Sequence, residues 1–491
     1  MATTLVAGAG PVGLTLAIEL ARYGIEVRIV DVAPARSVTS KALVIWSRTL
    51  ELIERTGCAP AFLNEGNIVT AASIAAGKKP IGRITFDGVA SPYPYALMLP
   101  QSDTERLLEA HLNGLGVFVE RGVQLTRFTA ADEAVTSTLR HADGREEVIE
   151  TDWLAGCDGA HSAVRHALGM DFAGDTLASD WILADVHLTG ISTPRSELEF
   201  IWHENGVLAL FPITQNRYRV IADVGTSAGA PRRDPTLAEV QAVMDRRGPG
   251  NIQVSEPVWL ASFGINERKV RDYRVNRVFL AGDAAHIHSP AGGQGMNTGM
   301  QDAFNLAWKL ALVASGVCAP EPLLSSYSTE RSEVGDRIVA ATGYATALAV
   351  TKNPAVQFVR NRVAHFALGF AAARRTVAET LTEVSIGYPR GPLTHEVSHV
   401  HAIPRAGSRA PIRSNEPVVG AGRTPRFALF SAASDAATRL CAQNADLLDQ
   451  VVREPFEPRS LWLVRPDGYV GLAAPNDALG EVQTYLDELR A

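Results

Sequence analysis

The sequence predicts an α/β protein, in which an open parallel sheet is interrupted by an inserted antiparallel sheet and followed by a small C-terminal α/β unit. Three observations predict it. Thr4 to Ala7 and Ile25 to Val30 are short apolar runs joined by the turn Gly8-Ala9-Gly10-Pro11-Val12-Gly13 and a helical stretch, Leu14 to Tyr23. Between about 175 and 275 the chain changes to short alternating or apolar runs broken by turns, the pattern of antiparallel strands. From about Tyr388 a stretch rich in Pro, Gly and Ser leads into a last strand–helix–strand–strand pattern over 425–491.

The length, 491 residues, suits about three structural units. Lys and Arg number 46 against 53 Asp and Glu, a net charge of −7. No basic surplus exists to neutralise phosphates, so nucleic acid is not an expected partner. No run of about 18 apolar residues occurs, so no membrane span is expected and a membrane is not an expected partner. The first 21 residues lack a basic start and are broken by three glycines and by Glu19. They do not read as a signal peptide, and a cytoplasmic location is the expectation. Cys58, Cys157, Cys318 and Cys441 are far apart and form no CxxC pair, so neither a metal site nor a disulfide framework is expected.

The opening βαβ unit carries a GxGxxG fingerprint in its required place, after a strand and opening a helix. Gly8 allows the tight turn, Gly10 lets a pyrophosphate approach the backbone, and Gly13 lets helix and strand pack closely. The helix N-terminus that follows Pro11 and Val12 then points free N–H groups and a positive dipole end at the phosphates. Asp31 follows Gly13 by 18 residues, at the end of the second strand. There it can accept hydrogen bonds from both hydroxyls of an adenosine ribose, and it would repel the 2′-phosphate of NADP. This motif leaves FAD and NAD both open.

Two further motifs bear on that choice. Arg277 to Ala281 is an apolar strand that ends in Gly282-Asp283, and after Pro290 a Gly-rich loop containing Gly293, Gly295, Met296 and Asn297 leads into another helical run, Thr298 to about Val313. A carboxylate at the C-terminal edge of a sheet, followed by a helix N-terminus, suits the pyrimidine end of a flavin, which is negative when reduced. Asp158-Gly159 likewise ends a strand and opens a helix.

Together these sites resemble the FAD-dependent aromatic hydroxylases, the single-component monooxygenases related to p-hydroxybenzoate hydroxylase and phenol hydroxylase. The resemblance covers roughly residues 1–390, is most specific over 282–310, and is closest to the branch acting on phenols and aromatic polyketides. It implies a Rossmann-like FAD-binding domain over 1–174 and 276–390 with a helical extension, a substrate-binding sheet domain over 175–275, and a linker with a thioredoxin-like domain over 391–491. It implies FAD held by the fingerprint, by Asp158 and by Gly282-Asp283. It also implies that Arg48 contacts phosphate or flavin, that Gln101 reaches the ribityl chain, and that the backbone at Leu125 meets adenine. Arg48 and Gln101 have competing readings as ordinary helix residues, and the Leu125 side chain reads as core. Asp31 departs from the family, which more often has Glu there.

The resemblance implies that NAD(P)H reduces the FAD, that O2 then forms a flavin C4a-hydroperoxide, and that its distal oxygen passes to a small aromatic substrate. Pocket desolvation would protect that species. His286, His288 and Pro290 lie on the loop near the flavin and are the candidate catalytic residues. Trp202, Leu210, Phe211 and Pro212 are candidates for one wall of the substrate pocket, against plain core packing. Baeyer–Villiger oxygenation, epoxidation and a non-catalytic flavin-bound sensor are the rival functions. His395, His399 and His401 read as a solvated loop. The C-terminal unit lacks a CxxC and reads as structural or as an oligomer contact, which would make the protein a homodimer.

Overall fold

The computed structural model describes residues 3–225, 232–397 and 402–491. A six-stranded sheet runs in the order Arg274–Val275, Val278–Leu280, Trp153–Gly156, Thr3–Ala7, Glu26–Asp31 and Val119–Arg121. All neighbours in it are parallel except the first pair. The parallel pairing sends four strand ends to one edge, and those ends carry Gly8, Asp31, Asp158 and Gly282. Ligands bind at that edge in open α/β folds. The helices Pro11–Arg22 and Gly295–Ala314 pack together beside it. The central strand Thr3–Ala7 is buried from Thr4 onward and the strand Val278–Leu280 is buried throughout, as a sheet covered on both faces requires.

The second sheet has eight strands, ordered His286–Ile287, Gln253–Lys269, Ala173–Thr189, Arg217–Gly225, Gly206–Pro212, Glu197–His203, Ala71–Ala76 and Lys79–Thr85. It is antiparallel except where Glu197–His203 meets Ala71–Ala76. The sheet therefore reaches beyond the expected 175–275: two strands from 71–85 extend one edge, and His286–Ile287 extends the other. Alternation divides its side chains. Ile182, Leu208, Leu210 and Val220 pack beneath the helix Leu237–Arg247, whereas Leu198, Phe200, Ala209 and Phe211 pack with Val44 and Trp46 of the cofactor unit.

Three helices, Leu323–Val350, Pro354–Leu368 and Ala371–Leu381, follow the cofactor helix. The C-terminal unit is a four-stranded sheet, His395–Glu396, Val470–Pro475, Ser460–Val464 and Ala428–Phe430, with the helices Asp435–Gln443 and Leu479–Arg490. The residues from Asp435 to Val452 read as one helix in the sequence, but the first of these helices stops at Gln443. Asn444 ends it by donating from Nδ2 to the Leu440 carbonyl, and Leu448 then pairs with Phe427. His395 lies in the edge strand, while His399 and His401 fall outside the described residues.

Candidate active site

The three fingerprint glycines do separate jobs. Gly8 has φ +102°, and a Cβ there would sit 2.4 Å from the Cys157 carbonyl oxygen. A Cβ on Gly13 would lie 1.9 Å from the Gly8 carbonyl oxygen, so helix and strand touch only because that atom is absent. A Cβ on Gly10 would meet nothing within 4 Å. The first and third positions are closed by protein, and the second is open to whatever approaches the helix start. No side chain caps the helix Pro11–Arg22, whose first-turn N–H groups face that space.

Asp31 braces the loop. Its Oδ2 accepts from the Ala9 N–H at 2.6 Å and its Oδ1 from the Ala33 N–H at 2.8 Å. Each oxygen keeps a second lone pair for a ribose hydroxyl. Arg121 stands 3.8 Å away and shares an open cleft with Ala35, Arg36, Arg106 and Glu109. Asp158 accepts from the Val164 N–H through Oδ2 at 3.1 Å, while its Oδ1 is buried without a partner. Arg165, from the same segment, donates to the Ala284 carbonyl at 3.0 Å and so ties the Asp-Gly turn to the Gly-Asp turn.

At the second turn, Gly282 has φ +62°, and a Cβ on it would strike Val12 Cγ2 at 2.7 Å. The fingerprint and the Gly-Asp motif are therefore in contact through Val12. Asp283 is open to solvent yet walled by protein, which places it in a cleft. Burial holds its carboxyl above the ordinary range, with His286 and Lys41 opposing the shift. The helix Gly295–Ala314 starts without a side-chain cap beside this cleft. Met296 is half-buried there, and Pro290 is exposed on the approach. Asn297 is fully buried and acts as a clamp. It accepts from the Trp46 N–H at 2.8 Å and donates to the carbonyls of Val44 and Gly293 at 2.9 and 3.0 Å.

The two loop histidines differ. His286 is buried with Nε2 2.8 Å from Asp302, which also accepts from Arg331 and from the Gly282 N–H. Its role is to hold the turn. His288 places Nδ1 2.9 Å from the Ser289 carbonyl oxygen, which makes Nδ1 the protonated nitrogen. Its Nε2 is buried without a partner, close to Gly295. Burial and the neighbouring His286 push the imidazole down to about 4.

Several sequence-selected residues lie elsewhere. Arg48 is neither a surface cation nor turned to the Gly-rich loops. It is buried, bonds Glu51 at 2.9 Å and the Asp467 carbonyl at 2.7 Å, and lies over the Tyr469 ring, so its side chain serves the C-terminal unit. The cation of that segment whose charge acts on Asp283 is Lys41, seven residues earlier. Gln101 starts the helix Gln101–Gly114, accepts from the Ala42 N–H at 3.2 Å and donates to Glu105 at 2.8 Å. The Leu125 side chain is core. Of the four wall candidates, Phe211 faces the cofactor unit. Leu210 points to the opposite face, under the helix Leu237–Arg247, and alternation sends Pro212 with it. Trp202 shares the Phe211 face but lies further along it, beneath Arg360 and beside Trp181. Sequence reading missed Phe200, Ile74, Ile221, Leu368 and Leu381, which pack partly exposed on the same apolar cluster as Phe211, Val44 and Trp46. Phe200 meets Phe211 edge to face at 5.7 Å. Strict period-two counting along Glu197–His203 and Gly206–Pro212 separates Phe200 and Phe211 from Leu210.

The open Gly10 cradle, the orphaned Asp158 oxygen, the walled Asp283 and two uncapped helix starts fit a dinucleotide ending in a flavin. The FAD binding domain family matches residues 1–342, and the chain belongs to it, among the FAD-dependent monooxygenases of the aromatic-hydroxylase type. The chain is 41% identical over 354 residues to 6-methylpretetramide 4-monooxygenase of Streptomyces rimosus, a match spanning 71% of this chain and 62% of that relative. It is 32% identical over 487 residues to an uncharacterized aromatic compound monooxygenase of Bacillus subtilis, YhjG, covering 96% and 94% of the two chains. Its fold superposes on CabE, an aromatic hydroxylase from angucycline biosynthesis, with a TM-score of 0.79 at 30% identity, covering the whole of both chains.

Proposed function

We propose that the protein is a monooxygenase that uses NAD(P)H and O2 to place one oxygen atom on the ring of a phenolic or polyketide-type aromatic. The other oxygen leaves as water, with the two electrons drawn from the dinucleotide. One observation carries this reading: the Gly292-Gly293 loop that leads to Gly295 touches Val44 and Trp46, which share one apolar cluster with Phe211 and the partly exposed side chains Phe200, Ile74 and Ile221. FAD, once bound, would supply acceptance of hydride and activation of dioxygen.

The chain's own residues do the rest. The N–H groups at the start of Gly295–Ala314 stabilise negative charge at the pyrimidine end. Partly exposed Phe200 offers a ring face on which an aromatic can stack, and buried Trp46 and Phe211 back it and exclude water. His288 is neutral, its Nδ1–H is committed to Ser289, and Nε2 is left to accept a hydrogen bond. At a pKa of about 4 it is a poor base toward a phenol, so it orients a hydroxyl rather than removing its proton.

The test is NADH and NADPH oxidation by the FAD-loaded protein in air, with a panel of phenols and polycyclic phenolic aromatics and with H2O2 tallied. The expected result is a compound that accelerates oxidation and gains one oxygen with little H2O2. Binding without acceleration across the panel would overturn the reading.

A further inference from the structure

The helix Pro354–Leu368 is amphipathic the wrong way round. Three of its polar side chains turn to the protein. Gln357 donates to the Thr351 carbonyl at 2.7 Å, buried Arg360 donates to the Leu348 carbonyl at 2.7 Å, and His365 Nδ1 lies 2.9 Å from the Ile81 carbonyl oxygen. Its apolar side chains turn outward, with Phe358 62%, Val363 61% and Phe366 71% exposed. Val359 and Phe370 extend the patch along the chain, Phe370 meeting the Phe366 ring at 5.0 Å, and Tyr344 and Leu348 are exposed towards the end of the preceding helix. A surface helix ordinarily shows the reverse, and a contiguous apolar patch of this kind marks a contact surface.

Charge says what covers it. From Ile338 through Ala378 the chain contains Lys352, Arg360, Arg362, Arg374 and Arg375 and no Asp or Glu, in a protein whose net charge is −7. The adjoining edge strand adds Lys79 and Arg83, with Lys78 just before it. The nearby acids are few: Glu379 is paired with Arg375, Glu197 with Arg83, Glu204 is exposed, and half-buried Glu267 lies against Gly343. A second copy docked about a two-fold axis would set Arg362, Arg374 and Arg375 against their own kind. An anionic lipid surface meets both demands, taking the aromatic and aliphatic side chains at the acyl boundary and the cations at the headgroups.

We propose that this face docks the protein onto an anionic membrane surface. No helix among the described residues is long and apolar enough to cross a membrane, so the contact is peripheral. The inner sides of the same helices, at Leu368, Ala378 and Leu381, pack on the apolar cluster that walls the cleft, so an aromatic dissolved in lipid would meet the protein beside its pocket.

The experiment is co-sedimentation of the full FAD-loaded chain with phosphatidylcholine vesicles, with and without phosphatidylglycerol, at low and high salt. Binding is expected with phosphatidylglycerol, and about tenfold less without it or at high salt. Phe358→Ser/Phe366→Ser and Lys352→Glu/Arg362→Glu should each reduce binding about tenfold with an unchanged melting temperature, since the replaced groups are solvent-facing. The proposal is overturned if phosphatidylglycerol vesicles bind no protein, or if both double variants bind like wild type. It is also overturned if light scattering finds a dimer that Phe358→Ser/Phe366→Ser dissolves, because a second copy then covers the face.

Discussion

At the residue scale the fingerprint glycines give the sharpest contrast. Gly10 has extended backbone angles that any residue adopts, and a Cβ on it meets no protein atom. Gly10→Val should therefore fold with stability within about 1 kcal/mol of wild type and yet lose FAD affinity at least about a hundredfold, because its side chain would occupy the pyrophosphate's space. Gly13→Val should instead lower the melting temperature before any cofactor is added, since its Cβ would overlap the Gly8 carbonyl. Thermal unfolding of the apo-proteins and fluorescence titration with FAD separate the two. His288→Phe keeps a ring of similar shape without Nε2, and it should raise the H2O2 share of NAD(P)H oxidation several-fold if that nitrogen orients the substrate. These glycine roles were legible in the sequence because the motif is local. Arg48 was not: its partner, the Asp467 carbonyl, lies 419 residues away, and no local signal says which side of a helix will meet a distant unit.

Elements are held by buried charge as well as by apolar packing. Glu330, on the helix Leu323–Val350, accepts both Arg465 Nη atoms at 2.6 and 2.9 Å and Lys309 Nζ at 2.8 Å. Arg465 also bonds Asp467, which in turn accepts from the Trp308 indole N–H at 3.1 Å. Arg465→Met would leave Asp467 without its cation and Glu330 with Lys309 alone, and should cost about 3–5 kcal/mol, read as a lower urea midpoint. Adding Glu330→Leu together with Lys309→Met should recover part of that loss, since it removes the buried carboxylate and the ammonium paired with it in one step. An Asp-Gly pair such as Asp467-Gly468 is a turn signal in any sequence, but nothing local announces that this turn penetrates the cofactor unit. The edge strands Ala71–Ala76 and Lys79–Thr85 were hidden for a related reason. Alanine and glycine carry little strand preference, and these strands exist because Glu197–His203 offers them an edge.

For the whole molecule these buried groups set how stability varies with pH. Burial alone would raise the Glu330 carboxyl, but Arg465 and Lys309 bring it down to about 2. Its contribution is complete above the ordinary carboxylate range and is lost as pH falls toward 2. Glu383 behaves oppositely. Burial pushes it up to about 8, against hydrogen bonds from Thr298 and Gln301. Its protonated form suits the fold, so stability should decline as pH rises from the carboxylate range to about 8, by at most about 1.4 kcal/mol per pH unit. Glu383→Gln should flatten the melting temperature between pH 5 and 8, and an unaltered slope would show that Glu383 does not titrate there. The charged cluster at Glu330 has one more consequence. The strand Ser460–Val464, which leads into Arg465 and Asp467, cannot peel from the helix Gly295–Ala314 without stripping Arg465 from Glu330 and Asp467 from the Trp308 indole. Partial opening of the last hundred residues is therefore as unfavourable as opening the cofactor unit, and amide hydrogens in both elements should exchange with deuterium at a common rate, through one cooperative event.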